Sequence, residues 1–215
     1  MARARPGLVT LALSAAAVLG YLAYRSIDRA DVDTQAEPAA VPTELLAADA
    51  EEPAPARQPA ETLPEFSLGN LAGEPQSIRS WPGKTLLINF WATWCAPCLR
   101  EIPMLKELQS ARPDLQVVGI AIDRRDPVVA FAADMQFNYP ILIGQSEAWQ
   151  AAAALGVEIY ALPFTIFAAG DGTILGVHTG ELHAEHLESF RAVADDLQAE
   201  KISVAEARSR IAGRM

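Results

Sequence analysis

Only two of the 215 residues are cysteine, and that scarcity removes whole classes of function. A zinc site wants four ligands, commonly two C-x-x-C pairs or one pair with two histidines, and Cys95 and Cys98 have no further cysteine to join them. His183 and His186 lie in a helical-looking stretch far downstream, read as a solvated helix face, and His178 falls in a strand-like run. No metal and no other cofactor is therefore expected. A purely structural disulfide between residues three apart would close too small a loop to constrain the unfolded chain much. Basic charge is also short, with 17 Lys and Arg against 27 Asp and Glu for a net −10. Nothing is basic or aromatic-interleaved enough to suggest nucleic acid as a partner. No internal repeat is present.

What the chain does have is Trp94-Cys95-Ala96-Pro97-Cys98, set where an apolar run gives way to helical spacing. Upstream, Thr85 to Trp91 is nearly continuously apolar, the pattern of a strand buried on both faces. Downstream, Leu99 to Ala111 has Ile102, Leu105 and Leu108 on one face, with Arg100, Glu101, Lys106 and Glu107 among the polar positions. Pro103 inside that helix removes a backbone donor and predicts a kink. A helix N-terminus stabilises a thiolate, which is the reactive form of cysteine. The spacing predicts Cys95 as the exposed attacking thiolate and Cys98, one turn along, as the resolving thiol.

Strand, C-x-x-C and kinked helix together resemble the thioredoxin superfamily. The run Asn89-Phe90-Trp91-Ala92-Thr93-Trp94-Cys95-Ala96-Pro97-Cys98-Leu99-Arg100-Glu101-Ile102-Pro103 most resembles the TlpA/ResA/CcmG-type membrane-anchored thiol–disulfide oxidoreductases. The resemblance implies that Asn89 stands where cytoplasmic thioredoxins carry a buried aspartate, and asparagine cannot act as a base. It also implies that Glu101 lies near the active site and tunes the cysteines; read from spacing alone, Glu101 is an exposed helix glutamate. Trp91 and Trp94 are expected to pack and to shape the surface rather than to react. Ile159-Tyr160-Ala161-Leu162-Pro163 carries the family's aliphatic residue four before a proline, and the resemblance implies that Pro163 is cis and faces the C-x-x-C. The backbone of Leu162 would then pair with substrate. Phe164 is bulkier than the small or polar residue common there. A peroxiredoxin would need threonine at position 92, where Ala92 stands, and a copper carrier would need C-x-x-x-C with a histidine.

The chain divides into three parts. Residues 1–27 hold an uncharged, mostly apolar stretch from Gly7 to Tyr24, preceded by Arg3 and Arg5 and followed by Arg25. Its length in a helix is roughly 27 Å, enough for a thin bilayer, and Tyr21, Tyr24 and Arg25 look like an interfacial anchor. The rival reading is a cleaved signal peptide, with small residues at Ala15-Ala16-Ala17. Residues 28–62 read as an acidic Pro/Ala-rich linker: the stretch 28–65 has ten acids against two arginines, most of the net charge of the chain. Such a segment buries too little apolar surface to fold alone, and as a flexible chain spans on the order of 35 Å.

Residues 63–215 read as one thioredoxin-like α/β domain, a central mixed sheet flanked by helices. A small hairpin is expected at 66–78, strands at 85–91, 116–122, 141–143, 164–168 and 174–179, and helices at 127–136, 147–155 and 184–198. Asp171-Gly172 is a hairpin turn, and Ser203…Glu206 has capping-box spacing before a last helix. The stretch from Arg124 to Leu162 is too long for one helical crossover and fits an inserted strand–helix unit.

The function expected is an exported thiol–disulfide oxidoreductase at the outer, periplasmic side of a bacterial cytoplasmic membrane. The resemblance points to a reductase of protein disulfides, with cytochrome c or copper-site maturation proteins as clients and a membrane electron donor of the thiol-transfer type. A disulfide oxidant or isomerase, and a non-catalytic thioredoxin-like binding module, remain as alternatives.

Overall fold

The computed structural model describes residues 60–156 and 161–213. The apolar segment 7–24, nearly all of the linker, and Ile159 and Tyr160 lie outside them. Among the described residues no helix is long and apolar enough to cross a membrane.

Seven strands form one sheet: β1 (Ser67–Asn70), β2 (Pro75–Ser77), β3 (Thr85–Trp91), β4 (Leu115–Ile122), β5 (Ile141–Gly144), β6 (Phe164–Ala168) and β7 (Ile174–Thr179), in the order β2-β1-β5-β4-β3-β6-β7. The three central strands β5, β4 and β3 are parallel to one another, while β6, β7 and the β1–β2 hairpin pair antiparallel. The helices are α1 (Ala96–Ala111), α2 (Arg125–Met135), α3 (Ser146–Ala154), α4 (Ala184–Gln198) and α5 (Val204–Ala212). The expected inserted unit is α2 with β5, and β5 extends the parallel sheet beside β4.

Both faces of the sheet are covered, which is why β3 and β4 read as continuous apolar runs. The two-residue period of β3 sends Leu86, Ile88 and Phe90 to the face covered by Ala148 and Ala152 of α3. Leu87 and Trp91 go to the other face, against Ile102 and Leu105 of α1 and Phe190 of α4. Asn89 shares that second face, and its polar side chain therefore points at α1. Pro103 does not break α1, which runs on to Ala111. The proline sits on the exposed side, where water can take the carbonyl it leaves unpaired. Ser203 caps α5 by accepting from the Glu206 N–H at 3.2 Å, while the Glu206 carboxylate turns away to Arg210 instead of closing the capping box.

The β6–β7 turn needs Gly172, at φ +89, as the Asp-Gly pair predicts. Gly170 is required for a different reason. A Cβ there would lie 2.5 Å from the Gly83 carbonyl oxygen and 2.7 Å from its carbon, both backbone atoms, and Gly83 N–H already donates to Gly170 O at 3.2 Å. Gly170→Ala is expected to cost about 1–3 kcal/mol by overpacking. A lower denaturant midpoint at unchanged m-value is the expected reading.

Candidate active site

β3 ends at Trp91, and the chain turns through Ala92 to Trp94 so that Cys95 becomes the N-cap of α1. Its Sγ accepts the Cys98 N–H at 3.3 Å, in place of the usual serine or aspartate oxygen. Pro97 occupies the first turn, where the missing N–H costs nothing. Cys95 and Cys98 are joined as a disulfide with Cα atoms 5.3 Å apart. The expectation of an exposed Cys95 needs correcting for this oxidised state. Cys95 is only 5% exposed and Cys98 is fully buried, because the disulfide ties both sulfurs back onto the first helical turn within the apolar cluster. The exposed group beside them is Trp94, at 69%. Trp91 is buried among Phe131 and Phe137, a packing role as expected.

Below the disulfide lies a buried polar network. Glu101 stands one turn beyond Cys98 on the same buried side of α1, at i+3. It is almost fully buried, so the reading as an exposed helix glutamate is overturned. Asn89 Nδ2 donates to Glu101 Oε1 at 2.6 Å and to Thr165 Oγ1 at 3.1 Å. Glu101 Oε2 accepts the Leu182 N–H at 2.8 Å. Asn89 is thus no base; it is a donor to the carboxylate. Burial, only partly opposed by those two donors, lifts the Glu101 carboxyl from an ordinary 4.5 to about 7.

The Leu162–Pro163 bond is cis. The antiparallel register Phe90↔Phe164 brings the chain just before β6 to the end of β3 from which the C-x-x-C turn emerges. Leu162 packs against the apolar cluster that contains Cys95 and Cys98. Phe164 faces away from this site: it is buried and stacks on Phe90 with ring centres 4.2 Å apart.

Several partners were not legible beforehand. Asp123, at the end of β4, takes the Thr93 N–H at 3.1 Å and the Thr93 hydroxyl at 2.5 Å, and so holds the turn two residues before Cys95. Thr165 and the Leu182 N–H were also missed, because each meets its partner across 76 or more residues of sequence. Among the described residues no group of three His, Cys, Asp or Glu side chains is placed to hold a metal ion.

Residues 58–196 match the Redoxin family. This chain is a member of the redoxin family. The redoxin is 33% identical over 136 residues to the thioredoxin-like protein YneN of Bacillus subtilis, covering 61% of this chain and 77% of that one. It is 33% identical over 137 residues to the thiol-disulfide oxidoreductase ResA of Geobacillus thermodenitrificans, covering 60% and 76%. Among solved structures it superposes on a thiol:disulfide interchange protein of the thioredoxin family from Chlorobium tepidum with TM-score 0.56 and 27% identity, over 64% of this chain and 97% of that chain. The redoxin is a thiol–disulfide oxidoreductase of the ResA type, with the thioredoxin-like fold expected of it.

The Glu101 environment fixes the sign of a pH effect. Because the folded carboxyl holds its proton up to about pH 7 and the unfolded one only to 4.5, the native state binds more protons between those values. Stability therefore falls as pH rises from 4.5 to about 7 and is level above it. The expected drop is of the order of 3 kcal/mol, at about 1.4 kcal/mol per pH unit. Glu101→Gln abolishes this slope in denaturant titrations run across pH 4 to 8, at the cost of turning one amide N–H toward the Leu182 or Asn89 donor.

Proposed function

We propose that the protein is an exported, membrane-anchored reductase of protein disulfides. The Cys95 thiolate attacks a client disulfide, a mixed disulfide forms, and one client thiolate leaves. Cys98 then loses its proton and attacks Cys95 Sγ, the second client thiolate leaves, and the Cys95–Cys98 disulfide remains. Two electrons have passed from the dithiol to the client, and a membrane electron donor of the thiol-transfer type restores them.

The observation that carries this reading is the Glu101 carboxylate buried one turn from Cys98 and titrating at about 7. Near neutrality it takes a proton from Cys98 in the resolving step. Once ionised, its negative charge disfavours the thiolates of the reduced site, so the site gives up electrons readily. The cis Pro163 ends a backbone segment at the mouth of the site, where the Leu162 main chain pairs with an extended client peptide. Trp94 offers that client an exposed apolar surface.

The segment 7–24 serves as the membrane anchor and the acidic stretch as its tether, with the catalytic domain on the periplasmic side of a bacterial inner membrane. The support is sequence: an uncharged apolar run flanked by arginines, and similarity to the ResA proteins. Apocytochromes c and copper-site maturation proteins are the proposed clients.

The deciding measurement is the reduction potential of the Cys95–Cys98 couple in the full chain, by equilibration with dithiothreitol or glutathione. A reductase is expected near about −270 mV, whereas a value near about −120 mV makes the protein a disulfide donor. In cells, Cys98→Ser is expected to accumulate mixed disulfides through Cys95. A complete absence of trapped clients, with function retained, would instead leave a binding module.

A further inference from the structure

The chain has three histidines, and all three converge on one corner of the fold. The His178 and His186 rings lie 4.3 Å apart centre to centre, and those of His183 and His186 5.6 Å. His178 is the buried member, on β7, and His183 is the N-cap of α4. The corner between these elements is Gly180-Glu181-Leu182, and each of the three residues grips the redox site. Gly180 N–H donates to Pro163 O at 2.9 Å. The Glu181 carboxylate takes Arg100 Nε at 2.9 Å. Leu182 N–H donates to Glu101 Oε2. Two successive residues of α1 and the cis proline are therefore tied to one three-residue turn.

His178 holds that turn from behind. A carbonyl only accepts, so His178 presents Nε2–H to Glu181 O, at 3.2 Å. Glu181 C=O and Leu182 N–H belong to the same planar peptide unit. His178 and Glu101 thus hold opposite edges of one rigid plate. The strand register supports the arrangement: Asn89 pairs with Thr165 and Thr165 with His178, one polar row across β3, β6 and β7 on the face that α1 covers.

We propose that His178 is a positioning residue of the redox site, acting through the Glu181–Leu182 peptide to fix the donor that Glu101 meets beside the dithiol. This rests on the reading of Glu101 given above. The charged and titratable groups around His178 are His183 and His186 of α4, Glu181 with its partner Arg100 of α1, and Glu101 across the peptide; β6 presents only the neutral Thr165. Burial, partly opposed by the bond to Glu181 O and reinforced by repulsion from the other two imidazoles, pushes the His178 imidazole below its ordinary range.

The test is the pH dependence of the Cys95–Cys98 potential in the full chain, measured for the wild type, Glu101→Gln, His178→Leu and His178→Gln. Glu101→Gln is expected to remove the inflection near pH 7. His178→Leu leaves the plate unheld, the carboxylate loses an aligned donor, and the inflection rises by about one unit, a tenfold gain in proton affinity. His178→Gln restores it, since its amide N–H reaches as far as Nε2. A His178→Leu profile superimposable on wild type, or an equal shift with Leu and Gln, overturns the inference while leaving the Glu101 reading intact. An inflection that survives Glu101→Gln overturns both. Should His178→Leu fail to fold, wild-type NMR decides: the Leu182 amide and the Glu101 carboxyl carbon are expected to shift together as the His178 ring titrates, and unchanged shifts overturn the inference.

Discussion

A carboxylate placed inside the apolar layer between α1 and the sheet is the constraint around which the site is built. Taking such a group out of water costs several kcal/mol unless it is neutralised or hydrogen-bonded. Glu101 receives two donors, and each comes from a different element, Asn89 from β3 and the Leu182 N–H from the corner before α4. Both bonds exist only when the sheet, the active-site helix and that corner are simultaneously in register. Of the five buried polar residues among those described, Asn89, Glu101, Thr165 and His178 belong to this one network. A polar cluster satisfied at every step rigidifies what it joins, and here it joins the dithiol helix to the cis-proline segment.

The turn that presents Cys95 is fixed from the other side by a simpler device. Thr93 is held through both its N–H and its hydroxyl by one carboxylate oxygen of Asp123. Asp123 sits at the C-terminal end of β4, the strand parallel and adjacent to β3, so the grip runs between neighbouring strand ends. The reactive segment is thereby anchored at Thr93 by the sheet and at Glu101 by the buried network. The whole C-x-x-C motif lies between those anchors, with Trp94 and Ala96 exposed.

The fold was legible because its determinants are local. Near-continuous apolar runs marked β3 and β4, Asp171-Gly172 marked the last hairpin, and the excess length between Arg124 and Leu162 marked the inserted unit. The dithiol and the cis proline were legible from motif and resemblance. Glu101 was ambiguous, because helical periodicity assigns any charged residue to the wet face and cannot see that two distant donors wait beneath it. Thr165, Asp123 and the 180–182 corner were illegible for the same reason: their partners are set by strand register, not by sequence neighbours. The three histidines did carry a hint, lying within nine residues of each other, yet one on a strand and two at a helix start reveal nothing until the chain reverses between them.

Two opposed fields act on the dithiol, and their balance sets what it does. The first turn of α1 favours negative charge on Cys95, through the Cys98 N–H aimed at its Sγ and the partial positive charge of the helix end. That field stabilises the reduced site and by itself makes an oxidant, as in proteins whose thiolate is strongly favoured. The Glu101 carboxylate acts in the opposite sense, and only when ionised. Because burial holds its proton up to about pH 7, the opposition is absent in acid and complete in mild alkali. A dithiol under a permanent helix field alone already becomes a stronger reductant as the pH rises, because reduction of its disulfide takes up protons. On the proposed reading, a titrating carboxylate one turn away adds a further pH dependence near neutrality to that of the two cysteines. The sensitivity of that change depends on the hydrogen bonds that decide where Glu101 loses its proton.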